Sequence, residues 1–193
     1  MSFNFRIEKS EVIEGVLLIQ PDTFQDHRGL IWTSYLENKL LNNLSNTELR
    51  FSHDKFSTSN KNVLRGIHFD NKSWKLVSCV YGEVLQVAVD LRPESNTYLM
   101  HQKFNLDYNT PNSVLLPPGV GNAFYVKSDV AVYHYKLSYA GEYNDESQQF
   151  TVAWDDPALD IKWPARDPLL SYRDASAKYL KQKGHSETKI GKN

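Results

Sequence analysis

The chain of 193 residues lacks the features that mark a membrane, secreted or nucleic-acid-binding protein. No apolar run approaches the roughly 20 residues that a membrane-spanning helix requires, and the polar, charged first ten residues predict no signal peptide. Lysine plus arginine (22) nearly balance aspartate plus glutamate (23), so there is no basic field for nucleic acid. The single cysteine, Cys79, cannot form an internal disulfide, and its apolar surroundings favour a core position over a nucleophile. We expect a cytoplasmic protein without membrane or nucleic-acid partners.

Metal and phosphate motifs are also missing. A metal site in a β-barrel usually draws two or three histidines and a carboxylate together, often through a His-x-His pair. Here the histidines at positions 27, 53, 68, 101 and 134 are scattered. Neither a glycine-rich phosphate loop nor a dinucleotide fingerprint occurs. We therefore predict that no metal is bound.

Short β-type runs make up most of the chain. They recur at roughly 8–12-residue spacing, and only Leu36, Leu40, Leu41 and Leu44 follow a helical period. The pattern predicts an all-β sandwich or jelly roll with few short helices. Residues 12–20 read as one strand, and residues 81–83 as the tip of a hairpin. We expect one domain over residues 1–176 and a flexible, lysine-rich tail over 177–193.

The run NVLRGIHF at residues 62–69 is the first candidate site. It places a fixed cation, Arg65, close to a titratable imidazole, His68, in an apolar strand. Regular alternation would put these two side chains on opposite faces unless Gly66 introduces a bulge. The pair fits an acid–base site. The structural alternative is a buried, hydrogen-bonded histidine beside a surface arginine.

Three further residues could take part in acid–base chemistry. Lys75 begins a predicted strand, Tyr135 shares a face with Tyr133 in the run VYHYKL, and Asp174 follows LSYR. Each also has a structural explanation. A lysine at a strand end is usually solvated, a tyrosine in a strand can be a core ring, and an aspartate there can cap a helix.

Together, seven motifs resemble the dTDP-4-dehydrorhamnose 3,5-epimerase family of nucleotide-sugar epimerases. They are FQDHRG, NVLRGIHF, KLVSCVYGEVLQVAVDLR, LLPPG, YHYKLSY, WDDPALDIKWP and LLSYRD, in the family's order. The resemblance implies a cupin-like jelly roll. It also implies an isomerase that needs no metal or redox cofactor and acts on a nucleotide-diphosphate 4-keto sugar.

The resemblance assigns catalytic roles to four residues. His68 matches the base, Asp174 the carboxylate that orients it, Tyr135 the acid on the opposite face of the sugar, and Lys75 a cation at the C4 oxygen. Arg65 matches a second cation near the substrate. Arg28 matches an arginine that reaches the nucleotide in the neighbouring subunit, which implies a homodimer with exchanged N-terminal strands.

Several positions depart from the family pattern. Asn122, in PPGVGNAF, replaces a second histidine, and FSHDKFS, with His53 and Lys55, replaces a segment that often reads FVQDNHS. The acid–base residues are intact, so the departures indicate a changed substrate. They resemble a branch that acts on GDP-linked 4-keto-(6-deoxy-)heptoses in capsule biosynthesis.

The sequence leaves alternatives open. The enzyme could invert C3 alone or both C3 and C5, and its substrate could be dTDP-4-dehydrorhamnose. A 3,4-ketoisomerase would also move a proton next to a carbonyl. A jelly roll that only binds sugar is the non-enzymatic alternative, and the acid–base set argues against it.

Overall fold

The computed structural model describes residues 4–41, 49–143 and 148–180. Within them lie thirteen strands and two short helices. In chain order these are β1 (Phe5–Lys9), β2 (Leu17–Pro21), β3 (Thr23–Asp26), β4 (Gly29–Trp32), α1 (Glu37–Leu41), β5 (His53–Asn60), β6 (Leu64–Phe69), β7 (Trp74–Tyr81), β8 (Glu83–Asp90), β9 (His101–Asp107), β10 (Ser113–Leu116), β11 (Val120–Val126), β12 (Val130–Ser138), β13 (Phe150–Thr151) and α2 (Tyr172–Ala175). The predicted predominance of short strands is confirmed.

Two antiparallel sheets form the body. One sheet has six strands in the order β1-β2-β10-β7-β12-β5, and the other has five in the order β13-β6-β11-β8-β9. Neighbours in each sheet are mostly distant in sequence, which is typical of a jelly roll. Strands β3 and β4 form a separate two-stranded hairpin. This arrangement confirms the predicted jelly roll.

The inner faces of the two sheets share a core, and each outer face is covered separately. Phe124 of β11 stacks on Tyr133 of β12 across the interior, with ring centroids 4.1 Å apart. The outer face of the five-stranded sheet is covered by the chain from Val152 onward. Leu40 of α1 lies over the six-stranded sheet. The alternation of inward and outward side chains therefore decides which residues reach the space between the sheets.

A bulge in β6 brings Arg65 and His68 to the same face. Asn122 pairs with His68 and Phe124 pairs with Arg65, so two steps on β11 oppose three steps on β6. Gly66 lies within this bulge, and its φ of +132° is a conformation that side-chain-bearing residues rarely adopt. A Cβ at Gly66 would also lie 2.4 Å from the Cβ of Ala123. Gly66 therefore permits the bulge, and the alternative of opposite faces is excluded.

Two local predictions were wrong. The strand predicted over residues 12–20 begins only at Leu17. Before it, the Ser10 hydroxyl accepts hydrogen bonds from the Val12 and Ile13 amides and closes a turn. The 81–83 segment is not a hairpin tip, since β7 belongs to the six-stranded sheet and β8 to the five-stranded one. It turns the chain from one sheet to the other at Gly82, whose φ is +79°.

The ends of the predicted helix and tail fall partly outside the described residues. Leu44 and residues 181–193 are not described, so the predicted flexibility of the tail stays a prediction. Lys178 bridges to Val152, and the Leu180 amide donates to Asp156 Oδ2 at 2.6 Å, so this part of the predicted tail contacts the body. No helix in the described ranges is long and apolar enough to cross a membrane.

Candidate active site

A histidine–aspartate pair lies on the five-stranded wall. The His68 Nε2 atom is 2.5 Å from Asp174 Oδ1, although the two residues are 106 positions apart. Asp174 is almost fully buried, whereas the His68 side chain keeps 24% of its surface exposed. A carboxylate on one ring nitrogen fixes the imidazole tautomer and leaves the other nitrogen free to take up a proton. A histidine held in this way is suited to act as a general base.

The position of Asp174 follows from the start of α2. Ser171 is the N-cap, and its hydroxyl accepts a hydrogen bond from the Asp174 amide at 3.1 Å. The same hydroxyl donates to Asp174 Oδ2 at 3.0 Å, so both carboxylate oxygens have partners. Asp174 is therefore not the helix cap that was weighed as its structural explanation. The cap instead holds it toward His68.

Lys75 is buried on the opposite wall. It alternates with the core residues Val77 and Cys79 on β7, which places it on the inner face, and only 5% of it is exposed. Its Nζ lies 3.4 Å from Asp70 Oδ2. Burial lowers the pKa of Lys75, and the field of Asp70 opposes this shift only in part. The solvated strand-end lysine is excluded.

Tyr135 occupies the same wall. It packs against the inner core and makes an edge contact with Tyr133, with ring centroids 4.8 Å apart. Burial raises the pKa of Tyr135 to about 12, and the nearby Asp174 also acts in that direction, while Arg65 opposes it. Tyr135 is thus a protonated phenol that lies within the electrostatic reach of residues on the facing wall.

Three cationic or titratable side chains surround this space. Arg65 donates from Nε to the Ser59 hydroxyl at 3.0 Å, which ties the two sheets together. Lys55 Nζ lies 5.5 Å from the centre of the Tyr135 ring and donates to the Tyr143 hydroxyl at 3.1 Å. The His53 Nδ1 atom is 3.1 Å from the Tyr139 hydroxyl. These groups line a rim suited to an anionic ligand.

Asn122 lies deeper, beside His68. The two are cross-strand partners in the β6–β11 ladder and share the inner face. The Asn122 side-chain oxygen is 2.7 Å from Gln86 Nε2 and 3.2 Å from the Tyr133 hydroxyl. Asn122 is buried with only 5% of its surface exposed, and Gln86 is fully buried. The three residues form a polar cluster in an otherwise apolar core.

Arg28 is the one predicted site residue that the structure places apart from the others. It lies at the turn of the β3–β4 hairpin, with 76% of its side chain exposed, and forms an ion pair with Asp26 at 2.5 Å. Within the described residues, none of its hydrogen bonds or ion pairs involves the His68 or Tyr135 walls.

Sequence reasoning missed Asp70, Gln86 and Tyr133. Asp70 could have been found from the DNKS turn, because its carboxylate accepts hydrogen bonds from the Lys72 and Ser73 amides. A buried glutamine in a continuous apolar strand carries no comparable local signal. Among the described residues, no three His, Cys, Asp or Glu side chains converge as metal ligands.

The site thus combines a carboxylate-oriented imidazole on one wall with a phenol and a buried ammonium on the other. Such an arrangement can remove a proton from one face of a bound molecule, stabilise negative charge on an oxygen and return a proton to the other face.

Known proteins are similar to this chain in both sequence and fold. The family model described as dTDP-4-dehydrorhamnose 3,5-epimerase matches residues 10–182. The dTDP-4-dehydrorhamnose 3,5-epimerase of Salmonella typhimurium is 37% identical over 174 residues, covering 88% of this chain and 93% of that protein. A dTDP-4-dehydrorhamnose 3-epimerase of Streptomyces niveus is 37% identical over 171 residues, covering 87% and 81%.

A solved structure extends the similarity to three dimensions. The dTDP-6-deoxy-D-glucose-3,5-epimerase of Legionella pneumophila, crystallised with dTDP-4-keto-L-rhamnose, superposes with a TM-score of 0.84 at 33% identity. The match covers 91% of this chain and 93% of that one. The chain therefore belongs to the dTDP-4-dehydrorhamnose 3,5-epimerase family and is an isomerase of the nucleotide-sugar epimerase type.

Proposed function

We propose that the chain inverts C3, or C3 and C5, of a nucleotide-linked 4-keto sugar by proton transfer between two walls of its pocket. The observation that carries this proposal is the oriented His68–Asp174 pair facing Tyr135 across the space between the sheets. His68 removes the proton next to the ketone. Asp174 holds the imidazole tautomer and stabilises the imidazolium that forms.

A histidine alone is too weak a base for this step. Each pKa unit that separates the sugar C–H from an imidazole adds about 1.4 kcal/mol to the reaction free energy. Lys75 supplies the missing stabilisation by placing its ammonium at the C4 oxygen, where the enolate charge develops. Burial makes this interaction stronger than it would be in water.

Inversion requires that the new proton arrive from the other face. Tyr135 is suited to that role because its high pKa keeps it protonated and its position is opposite His68. Proton removal and return then involve side chains of this chain alone. A ketoisomerase would instead deliver the proton to C4 and yield a 3-keto sugar, so NMR of the product distinguishes the two reactions.

Replacing His68 tests this mechanism. We expect His68→Asn to reduce exchange of the C3 hydrogen with D2O by about 10²- to 10⁴-fold, with nucleotide affinity preserved. The matched control is His101→Asn, a partly buried histidine on β9. Wild-type exchange in His68→Asn would contradict the assignment. If the wild-type protein binds the nucleotide sugar but catalyses no exchange, a protein that only binds sugar is favoured.

For the nucleotide sugar itself we propose a GDP-linked 4-keto-(6-deoxy-)heptose. The support is the departure from the family pattern at His53, Lys55 and Asn122, all of which lie on the inner face or rim of the pocket. The second candidate is a dTDP-linked 4-keto-6-deoxyhexose, which the names of the relatives favour. Turnover and deuterium uptake on GDP- and dTDP-linked 4-keto sugars decide between them, and a clear preference for dTDP would exclude the heptose. The number of deuterium atoms gained, one or two, separates inversion at C3 from inversion at C3 and C5.

We also propose a homodimer in which the N-terminal region carries Arg28 into the neighbouring site. The β3–β4 hairpin pairs with neither large sheet, and Phe24 and Ile31 on it remain about half exposed. Such a hairpin is marginally stable alone and gains from a partner surface.

Mixing two inactive variants tests whether sites are shared. In a mixed dimer of His68→Asn and Arg28→Ala, one site would combine an intact His68 with the partner's intact arginine. We expect activity to return on mixing after dissociation and reassociation. Activity no greater than the sum of the separate variants, or a monomer by light scattering, would contradict the shared site.

A further inference from the structure

We propose that Gln86 and Tyr133 are positioning residues that hold the Asn122 amide with its NH2 group toward the sugar, where it donates a hydrogen bond beside His68. This inference rests on the proposed function and adds two residues behind the pocket that set the orientation of a substrate-binding side chain. Gln86 and Tyr133 act through Asn122 and do not themselves reach the substrate.

The hydrogen bonds of Gln86 fix its own orientation. Its Nε2 atom donates to the Val87 carbonyl at 3.2 Å and to Asn122 Oδ1 at 2.7 Å. Its Oε1 atom accepts a hydrogen bond from the Tyr133 hydroxyl. A flipped Gln86 would set its oxygen against the Val87 carbonyl oxygen and would present its NH2 group, in place of an acceptor, to the Tyr133 hydroxyl. Both ends of the glutamine are therefore assigned by their partners.

Tyr133 remains a donor throughout the working pH range. Burial raises its pKa well above the ordinary value, so the hydroxyl stays protonated. Its ring is held between Phe124 and Tyr135, at centroid distances of 4.1 Å and 4.8 Å. The phenol therefore points at Gln86 from a fixed position.

The orientation of Asn122 follows from that of Gln86. Because Gln86 donates to it, the group facing Gln86 must be the Asn122 oxygen, and the NH2 group must face the other way. No described residue accepts a hydrogen bond from this NH2 group, and it is not fully sealed from solvent. The cluster thus ends in an unused donor on the inner face, on the cross-strand partner of His68.

A neutral donor at this place has a chemical consequence. Side chains of directly opposed residues on one face of an antiparallel pair lie within contact range of the same ligand group. The Asn122 NH2 group therefore suits an oxygen on the ring carbon that His68 deprotonates or on its neighbour. Unlike an imidazole at the same place, an amide does not titrate, so it donates in the same way at every pH.

The test compares two tyrosine hydroxyls. Tyr133→Phe and Gln86→Met remove hydrogen bonds of the cluster and keep most of the packing volume. The matched control is Tyr125→Phe, whose hydroxyl donates to Asn62 Oδ1 at 2.7 Å from the outer face of the five-stranded sheet. The measured quantities are KM and kcat for the nucleotide 4-keto sugar and the melting temperature.

We expect both cluster variants to raise KM by about three- to tenfold, the value of one hydrogen bond, with kcat within about twofold. Tyr125→Phe should lower the melting temperature to a similar degree and leave KM unchanged. In the background of Asn122→Ala, which should itself raise KM, Gln86→Met should have no further effect on KM, because no amide is left to orient. Equal KM values for Tyr133→Phe, Gln86→Met and wild type would overturn the inference, as would additive effects with Asn122→Ala. If the wild-type protein turns over no 4-keto sugar, it is the proposed function that fails.

Discussion

Two ion pairs that each involve a buried aspartate, Asp90–Arg92 and Asp70–Lys75, differ in how fully the carboxylate is hydrogen-bonded. The Asp90 carboxylate is saturated: Arg92 contacts both of its oxygens at 2.7–2.8 Å, and Ser95 and Thr97 donate to Oδ2 at 2.5 and 2.6 Å. Asp70 Oδ1 accepts hydrogen bonds from two backbone amides, whereas Oδ2 has no hydrogen-bond partner among the described residues and lies 3.4 Å from Lys75 Nζ.

The two ion pairs also differ in how the pKa values of their charged groups are shifted. Burial of Asp90 is outweighed by its donors, which lower its pKa to about 2, and the Asp90 hydrogen bonds raise the pKa of Arg92. Burial instead lowers the pKa of Lys75. A saturated pair fixes the chain after β8. In the proposed function, the unsaturated pair leaves a desolvated ammonium for an oxygen of the substrate.

The largest expected effect is the loss of activity in Lys75→Met. Methionine fills a similar volume but cannot stabilise an enolate, so kcat/KM should fall by about 10²- to 10³-fold. Steady-state kinetics check this result, and the nucleotide dissociation constant serves as the control. A variant that retains most of its activity would contradict the role of Lys75 at the C4 oxygen.

Arg92→Met should show the opposite behaviour. It leaves Asp90 buried without its cation, so we expect the free energy of unfolding to decrease by about 3–5 kcal/mol with kcat of the folded fraction unchanged. Urea denaturation measures the stability. If Arg92→Met impaired kcat as strongly as Lys75→Met, the distinction between the two pairs would be wrong.

The acid stability of the protein should depend on Asp90. Its folded pKa of about 2 lies below the ordinary value of 3.8, so its contribution is present above pH 4 and is lost as the pH falls toward 2. The shift corresponds to about 2 kcal/mol. Asp90→Asn should therefore be less stable than wild type at pH 6 and differ little at pH 2. A constant difference at both pH values would contradict the assignment.

The smallest expected effect concerns the alkaline limit of activity. Because the field of Asp70 partly supports the charge on Lys75, Asp70→Asn should lower the pKa of Lys75 further. The alkaline limb of the kcat/KM profile should shift to lower pH, and the acidic limb should stay in place. An unchanged alkaline limb would show that Lys75 does not set it.

The sequence predicts the class of fold and part of the site. Strand-length apolar runs and scarce helical periods predicted a sandwich or jelly roll, because alternation of buried side chains is a local property. The family resemblance favoured the jelly roll. The path between sheets is not local: residues 81–83 turn a corner instead of a hairpin, since the partners of β7 and β8 lie far along the chain. The bulge at Gly66 could only be posed as an alternative.

Contacts between residues far apart in the sequence could not be predicted from local patterns. Asp174 was linked to His68 through the family resemblance, and no periodicity connects positions 106 residues apart. The burial of Lys75 contradicted the usual behaviour of lysine at a strand end, because Asp70 compensates its charge from the preceding turn. Gln86 and Tyr133 were missed since buried polar clusters depend on packing between sheets.

The most direct test of the account is mass spectrometry combined with NMR of the sugar after incubation in D2O with wild-type protein, His68→Asn and Tyr135→Phe. We predict deuterium and inversion at C3 with wild type, neither with His68→Asn, and deuterium without inversion with Tyr135→Phe. Inversion at the wild-type rate by either variant would contradict proton transfer between these two walls.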